Sequence, residues 1–192
     1  MSKIEIVNRA LMKLGEPPIS SLNDAVFGKS YEVIYDDVKR LLLSIYPWRF
    51  AVDMQKLNRL DTKKNDKFLY VMPNDCLLLL KVYGNYNSNI TYEIHNEYEV
   101  LGNYILCDLD DGIKIEYVKN IKEEFFIPLF REAIAAKLAS ELAMRIKHSL
   151  EIKQMMESEF FTLIKHAELN NEIMKDIESI PDNSWIVSRK TW

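Results

Sequence analysis

The chain has 192 residues, a formal net charge of -4, 48% hydrophobic and 28% charged residues. This composition is globular, and a chain of this length buries roughly 70% of the surface that it exposes when unfolded. The slight excess of acids excludes the strongly basic face that is typical of nucleic-acid-binding proteins. No apolar run approaches the ~20 residues that span a bilayer, and the first residues lack the apolar core of a signal peptide. We therefore expect a cytosolic protein without a membrane partner.

Two helices are predicted in the first fifty residues. Ser2 and Glu5 have the spacing of a capping box, and apolar residues then recur at helical intervals. A longer helix is predicted to begin near Ser21 or Asp24. It must end before Pro47, because proline cannot continue a helix and keeps its predecessor out of helical geometry.

The sequence after this helix, Tyr46-Pro47-Trp48-Arg49-Phe50, is predicted to join two packed units. Trp48 and Phe50 are two residues apart, a spacing that places both on one face of an extended segment. Both are either core aromatics, the commoner case, or anchors for a partner. Trp48, Arg49 and Phe50 are therefore interface candidates.

The pattern changes between Ala51 and Asn120 to short runs rich in β-branched and aromatic residues, separated by turn signals. Six strands are predicted, at 68–72, 77–83, 90–95, 98–100, 104–107 and 113–118. They are expected to form an antiparallel meander in one small curled sheet. Helix returns at Pro128, which suits a first-turn position, and Ser149 can cap a fourth helix.

The fold class predicted from these elements is α+β, a four-helix bundle with an inserted small antiparallel β subdomain and an extended C-terminal arm. The arm is expected because the helical pattern decays after Asn170-Asn171. Four regions are predicted: bundle helices at 1–50, the β subdomain at 51–120, further bundle helices at 121–174 and the arm at 175–192.

Residues that could carry chemistry are sparse. The sequence 108–112, DLDDG, superficially resembles a calcium loop, but its glycine is fifth and not sixth, so a hairpin turn fits better. The three histidines show no zinc-type spacing. Cys76 and Cys107 are expected to be free buried thiols, although either could meet His95 in space as a nucleophile. We therefore expect no catalytic residue, no metal and no cofactor.

Five motifs, each a helix end or a turn, follow one another along most of the chain. They are ALMKLGEPPISSLND at 10–24, YDDV at 35–38, YPWRFA at 46–51, MPNDCL at 72–77 and PLFREAIAAKLASELA at 128–143. In this order they resemble the tail tubular protein A family, the head-to-tail adaptors of short-tailed bacteriophages.

The resemblance implies a structural virion protein and not an enzyme. Such adaptors form a ring, usually dodecameric, between the portal protein and the tail nozzle protein. Duplex DNA passes through the ring without specific binding. The resemblance also implies assembly in the cytoplasm of the host bacterium and a final place at the head-tail interface. A mildly acidic chain suits this role, because a lumen dense in Lys and Arg would hold the phosphates and hinder ejection.

Three further interface candidates, Trp185, Arg189 and Trp192, lie in the predicted arm, and Trp and Arg are enriched at interface hot spots. We expect the arm to dock on the portal. The alternatives are docking on a neighbouring subunit, packing over its own bundle, and fraying as chain termini do. Two other function classes stay open. One is a cellular helical binding or scaffold module with a sheet insert, and the other is a thiol enzyme.

Overall fold

The computed structural model describes residues 2–22, 28–86, 90–95, 97–110 and 112–179. This part of the chain forms four helices, eight strands and two 3-10 turns, at Arg49–Ala51 and Glu123–Phe125. The helices are α1 (Lys3–Lys13), α2 (Gly28–Ser44), α3 (Pro128–Ile146) and α4 (Leu150–Ser179). The strands are β1 (Val52–Leu57), β2 (Arg59–Lys64), β3 (Lys67–Val71), β4 (Cys76–Tyr86), β5 (Ile90–Glu93), β6 (Tyr98–Leu101), β7 (Tyr104–Cys107) and β8 (Ile113–Lys119).

Three helix starts lie where the sequence predicted them. The Ser2 backbone N–H donates to a carboxylate oxygen of Glu5 at 2.7 Å, as a capping box requires. Pro128 occupies the first turn of α3, and the Ser149 hydroxyl accepts from the Ile152 backbone N–H at 3.3 Å. For α2 the described helix begins at Gly28, and residues 23–27 lie outside the described part of the chain.

α3 is the central helix of the helical layer, because it packs against α1, α2 and α4. Its alanines at 133, 136, 139 and 143 are fully buried. Small side chains let neighbouring helices approach closely, which suits a helix with neighbours on several sides. At the partly exposed contact between α1 and α2, the Lys3 ammonium lies 3.1 Å from a carboxylate oxygen of Glu32 and 3.0 Å from one of Asp36.

The chain between α2 and α3 forms two four-stranded sheets and not the one small sheet that was predicted. Sheet A has the strand order β1-β8-β4-β5, and sheet B has the order β2-β3-β7-β6. The order is not a meander, since β1 pairs with β8 from the opposite end of the region. The predicted four-helix bundle with a small inserted β subdomain is therefore wrong. The fold is α+β with two substantial sheets beside four helices.

The sequence patterns missed β1 and β2, which bring the number of strands from six to eight. Both are edge strands, and β2 is exposed at every position except Leu60. An edge strand that faces water on one or both sides needs few apolar residues, so its alternation is weak.

Sheet A lies between the helices and sheet B. On β8, Ile115 and Tyr117 belong to the core between the two sheets, whereas Val118 belongs to the core beneath the helices. Successive side chains of a strand point to opposite faces, so each face of sheet A contacts a different layer. The helices cover only part of the outer face, because Met54, two residues from Val52 on β1, is 52% exposed.

α4 continues to Ser179, so the extended arm predicted from residue 175 is wrong for its first five residues. Residues 180–192, including Trp185, Arg189 and Trp192, lie outside the described part of the chain. Within the described residues, none of the helices combines the length and the apolar composition needed to cross a membrane.

Candidate interaction surfaces

The segment between α2 and β1 anchors the helical core. The Trp48 side chain is fully buried, and its indole N–H donates to the backbone carbonyl of Leu42 at 2.7 Å. Its ring stacks on Phe50, with centroids 5.7 Å apart, and contacts Phe130 at 4.9 Å. Trp48 is therefore a core residue and not an accessible interface anchor.

The backbone here is not extended, contrary to the prediction. Residues Arg49–Ala51 form a 3-10 turn, and a hydrogen bond of 2.8 Å from the Ala51 N–H to the Trp48 carbonyl closes it. The rings of Trp48 and Phe50 nevertheless lie on the same side, because Phe126 and Phe130 provide an aromatic cluster on which Phe50 packs edge-on.

This segment also contacts the last turns of α4. The Arg49 backbone N–H donates to the side-chain oxygen of Asn171 at 2.9 Å, and Asn171 is only 4% exposed. The Tyr46 hydroxyl hydrogen-bonds to the Glu172 carboxylate. Burial, together with this carboxylate, raises the pKa of Tyr46. Arg49 is thus placed at a contact between elements, which the sequence did not indicate.

A groove of about 680 Å³ lies beside these contacts, between the end of α4 and the outer face of sheet A. We call it the α4–sheet groove. Its lining combines apolar side chains with three carboxylates and two cations. The lining residues are Pro47, Arg49, Val52, Asp53, Met54, Leu80, Lys81, Glu116, Asn171 and Glu172.

The charged groups of the α4–sheet groove are held by neighbours. The Lys81 ammonium contacts a carboxylate oxygen of Glu93 at 3.0 Å. The Tyr83 hydroxyl donates to Glu116 at 2.8 Å. Glu93 lies outside the groove lining, and so does Lys119, whose ammonium contacts Asp53 at 3.2 Å. With Lys81 and Asp53 each paired from outside, the carboxylates Glu116 and Glu172 outnumber the other cation of the lining, Arg49, by one.

Two helices also carry large apolar side chains on their solvent faces. On α2, Val33 is 61% exposed, and on α4, Phe161 is 65% exposed. Further exposed apolar residues are Leu41 on α2, and Met155, Leu169 and Ile173 on α4. In the described residues each of these helices packs against α3 and neither packs extensively on the other, so these exposed apolar side chains lie on two separate helices.

Cys76, Cys107 and His95 are the residues that a thiol enzyme could use. Burial raises the pKa of both Cys76 and Cys107, which disfavours the reactive thiolate. If the register of β4 with β5 is continued by two residues, His95 lies opposite Lys81. Lys81 is five residues from Cys76 on β4, so His95 and Cys76 are ~16 Å apart along the strand direction. The described residues also contain no group of three or more His, Cys, Asp and Glu that could hold a metal ion.

Comparison with known protein families finds no match, and comparison with curated proteins finds none either. The resemblance to phage adaptors therefore rests on the five motifs. Two of them connect layers of the fold: YPWRFA at 46–51 leads from α2 into sheet A, and MPNDCL at 72–77 leads from sheet B into sheet A.

Proposed function

We propose that this protein is a structural head-to-tail connector of a short-tailed bacteriophage. Copies of the chain form a ring between the portal protein and the tail nozzle protein, and duplex DNA passes through the lumen. The chain is assembled in the host cytoplasm and belongs to the virion. The residues proposed to meet the portal are Trp185, Arg189 and Trp192.

The observation that carries this proposal, beside the motifs, is the pair of apolar surfaces on α2 and α4. A ring is built from heterologous contacts, in which one surface of a subunit meets a different surface of the next. Val33 on α2 and Phe161 on α4 are more than half exposed on helices that pack separately on α3. Two unlike apolar surfaces are what head-to-tail contacts need, whereas a two-fold dimer needs only one.

Charge supports the same role. The formal net charge is -4, and many lysines of the described residues are engaged by carboxylates, as Lys39 is by Glu123 at 3.0 Å and Lys137 by Glu141 at 2.7 Å. These ion pairs lower the number of cations that can exchange for the counterions of DNA, which favours a duplex that slides past the subunits.

The test is electron microscopy of the protein mixed with the portal protein encoded in the same genome. We expect rings on the portal from the parent chain and none from Phe161→Asp, which places a charge in the proposed contact. Phe125→Asp is the matched control, since Phe125 is 60% exposed but lies outside α2 and α4. Rings that form equally well with Phe161→Asp and Val33→Asp would contradict the proposal.

A further inference from the structure

We infer that the α4–sheet groove is a peptide-binding site and that residues 180–192 of the same chain occupy it in the free subunit. The inference concerns the isolated chain, and only its consequence for docking on a partner rests on the proposed connector role.

The chemistry of the groove fits a peptide that is both apolar and basic. Met54 is 52% exposed, a large apolar side chain in a concave site, and Val52 and Leu80 extend the apolar surface beside it. A ligand that covers this surface removes apolar area from water, which is the main driving force for such docking. Glu116 and Glu172 supply negative charge next to it.

Residues 180–192 read IPDNSWIVSRKTW and contain the complementary groups. Trp185, Ile186 and Val187 are consecutive apolar residues, and Arg189 and Lys190 follow them after Ser188. An indole can cover the exposed Met54 side chain, while a guanidinium can pair with a carboxylate in two parallel hydrogen bonds.

The short covalent connection between the groove and residues 180–192 favours this segment of the same chain over that of a second copy. Glu172 lines the groove and Ser179 ends α4 seven residues later, which is ~10 Å along a helix axis. The segment 180–192 can span ~40 Å when extended, so the groove is well within its reach. A tether this short gives an effective concentration in the millimolar range, far above that of free subunits in solution.

Occupation of the groove has a consequence for binding. A segment that is docked in its own groove is available to a partner only after release, so the partner must compete with the groove. Because each subunit carries both the groove and its ligand, the contact acts as a built-in inhibitor of premature docking through Trp185 and Arg189.

Photo-cross-linking of the full chain tests the inference. Benzoylphenylalanine replaces Met54 in one sample and Val100 in another. The two residues are matched, since each lies on a strand and they are 52% and 51% exposed. Mixing chains of normal and heavy-nitrogen composition before irradiation shows by mass spectrometry whether a cross-link joins one chain or two.

We expect the position 54 probe to cross-link to residues 180–192 within one chain and the position 100 probe to give no such product. Cross-links of mixed isotope composition would assign the segment to a neighbouring copy and overturn the inference. The absence of any product with 180–192 would overturn it too.

Tryptophan fluorescence provides a second measurement without a bulky probe. Met54→Asp should release Trp185 and Trp192 and shift the emission to longer wavelength, whereas Val100→Asp should leave it unchanged. Trp48 is fully buried and is the common background in all variants. Equal spectra and equal acrylamide quenching for the parent chain and Met54→Asp would contradict docking in this groove.

Discussion

The Trp48 indole N–H donates to the Leu42 carbonyl at 2.7 Å, at the C-terminal end of α2. Leu42 lies in the last turn of α2, where the carbonyl groups have no partner within the helix. Pro47 prevents the helix from continuing. The Trp48 side chain therefore supplies a hydrogen-bond donor to one of these carbonyls, that of Leu42, and its ring packs in the core next to Phe130.

Substitution of Trp48 tests this double role. Trp48→Ala should lower the free energy of unfolding by about 3–5 kcal/mol, because it leaves a cavity in the helical core. Trp48→Phe should cost less, about 1–3 kcal/mol, since it keeps most of the ring but leaves the buried Leu42 carbonyl unpaired. Urea unfolding measures both. Phe125→Ala is the control, as an exposed side chain should change stability by only about 0.5 kcal/mol. Equal stability of Trp48→Ala and the parent would contradict the packing described.

Four helices and six of the eight strands could be read from the sequence, but the edge strands β1 and β2 and the pairing of distant elements could not. Strands β3 to β8 have apolar and β-branched patterns that identify them singly. The pairing of β1 with β8 joins residues more than fifty positions apart, and Val52 opposite Val118 carries no local sign of this partnership.

The end of α4, which lines the α4–sheet groove, also could not be predicted from local sequence. The sequence Asn170-Asn171 suggested that the helix ended there, because asparagine favours turns and caps. In the structure α4 continues to Ser179, and Asn171 is buried because its side-chain oxygen accepts from the Arg49 N–H. A contact with a residue 122 positions away overrides the local preference, which no local pattern could reveal.

Acid should weaken the contact between α2 and the turn before α3. The Glu123 carboxylate accepts hydrogen bonds from the Lys39 ammonium at 3.0 Å and the Tyr35 hydroxyl at 3.1 Å. Burial by itself would raise the pKa of Glu123, but the bond from Lys39 and its charge outweigh burial, and the pKa falls below its ordinary value of 4.5. A lowered pKa in the folded state means that this stabilisation is present above pH 4.5 and is lost as the pH falls through the folded-state value.

The variant Glu123→Gln isolates this effect. Its free energy of unfolding should be lower than that of the parent at pH 7, and the difference should shrink as the pH falls below 4.5. Glu124→Gln is the control, since Glu124 is the exposed neighbour. A difference between Glu123→Gln and the parent that stays constant from pH 7 to pH 3 would show that the carboxylate charge does not matter.

Alkali should weaken the core between the two sheets. Tyr70 is fully buried and its hydroxyl donates to the Leu109 carbonyl at 2.6 Å. Burial, helped by the nearby Cys107, raises the pKa of Tyr70 to about 12 from its ordinary value of 10.0. The neutral phenol is favoured in the folded state, so its contribution is complete below pH 10 and is lost as the pH rises towards 12.

Unfolding of the parent and of Tyr70→Phe at pH 8 to 12 measures this contribution. Tyr70→Phe should be less stable by about 1 kcal/mol at pH 8, because the Leu109 carbonyl loses its donor. The variant should also lose less stability than the parent above pH 10, since it has no phenol to ionise at this position. Identical slopes for the two proteins would place the alkaline sensitivity in the other tyrosines.

Duplex DNA should bind the isolated chain weakly and without sequence preference. Binding through phosphates requires cations that release counterions, and the lysines of α1 and α3 already contact carboxylates, as Lys3 contacts Asp36 at 3.0 Å and Lys137 contacts Glu141 at 2.7 Å. The dissociation constant should therefore be no lower than the non-specific range, roughly 10⁻⁴ to 10⁻⁶ M at physiological salt. Fluorescence anisotropy with two unrelated duplexes measures it. A nanomolar affinity that differs between the duplexes would favour a sequence-reading protein over a connector, because a lumen that gripped particular sequences would stall the DNA that has to pass.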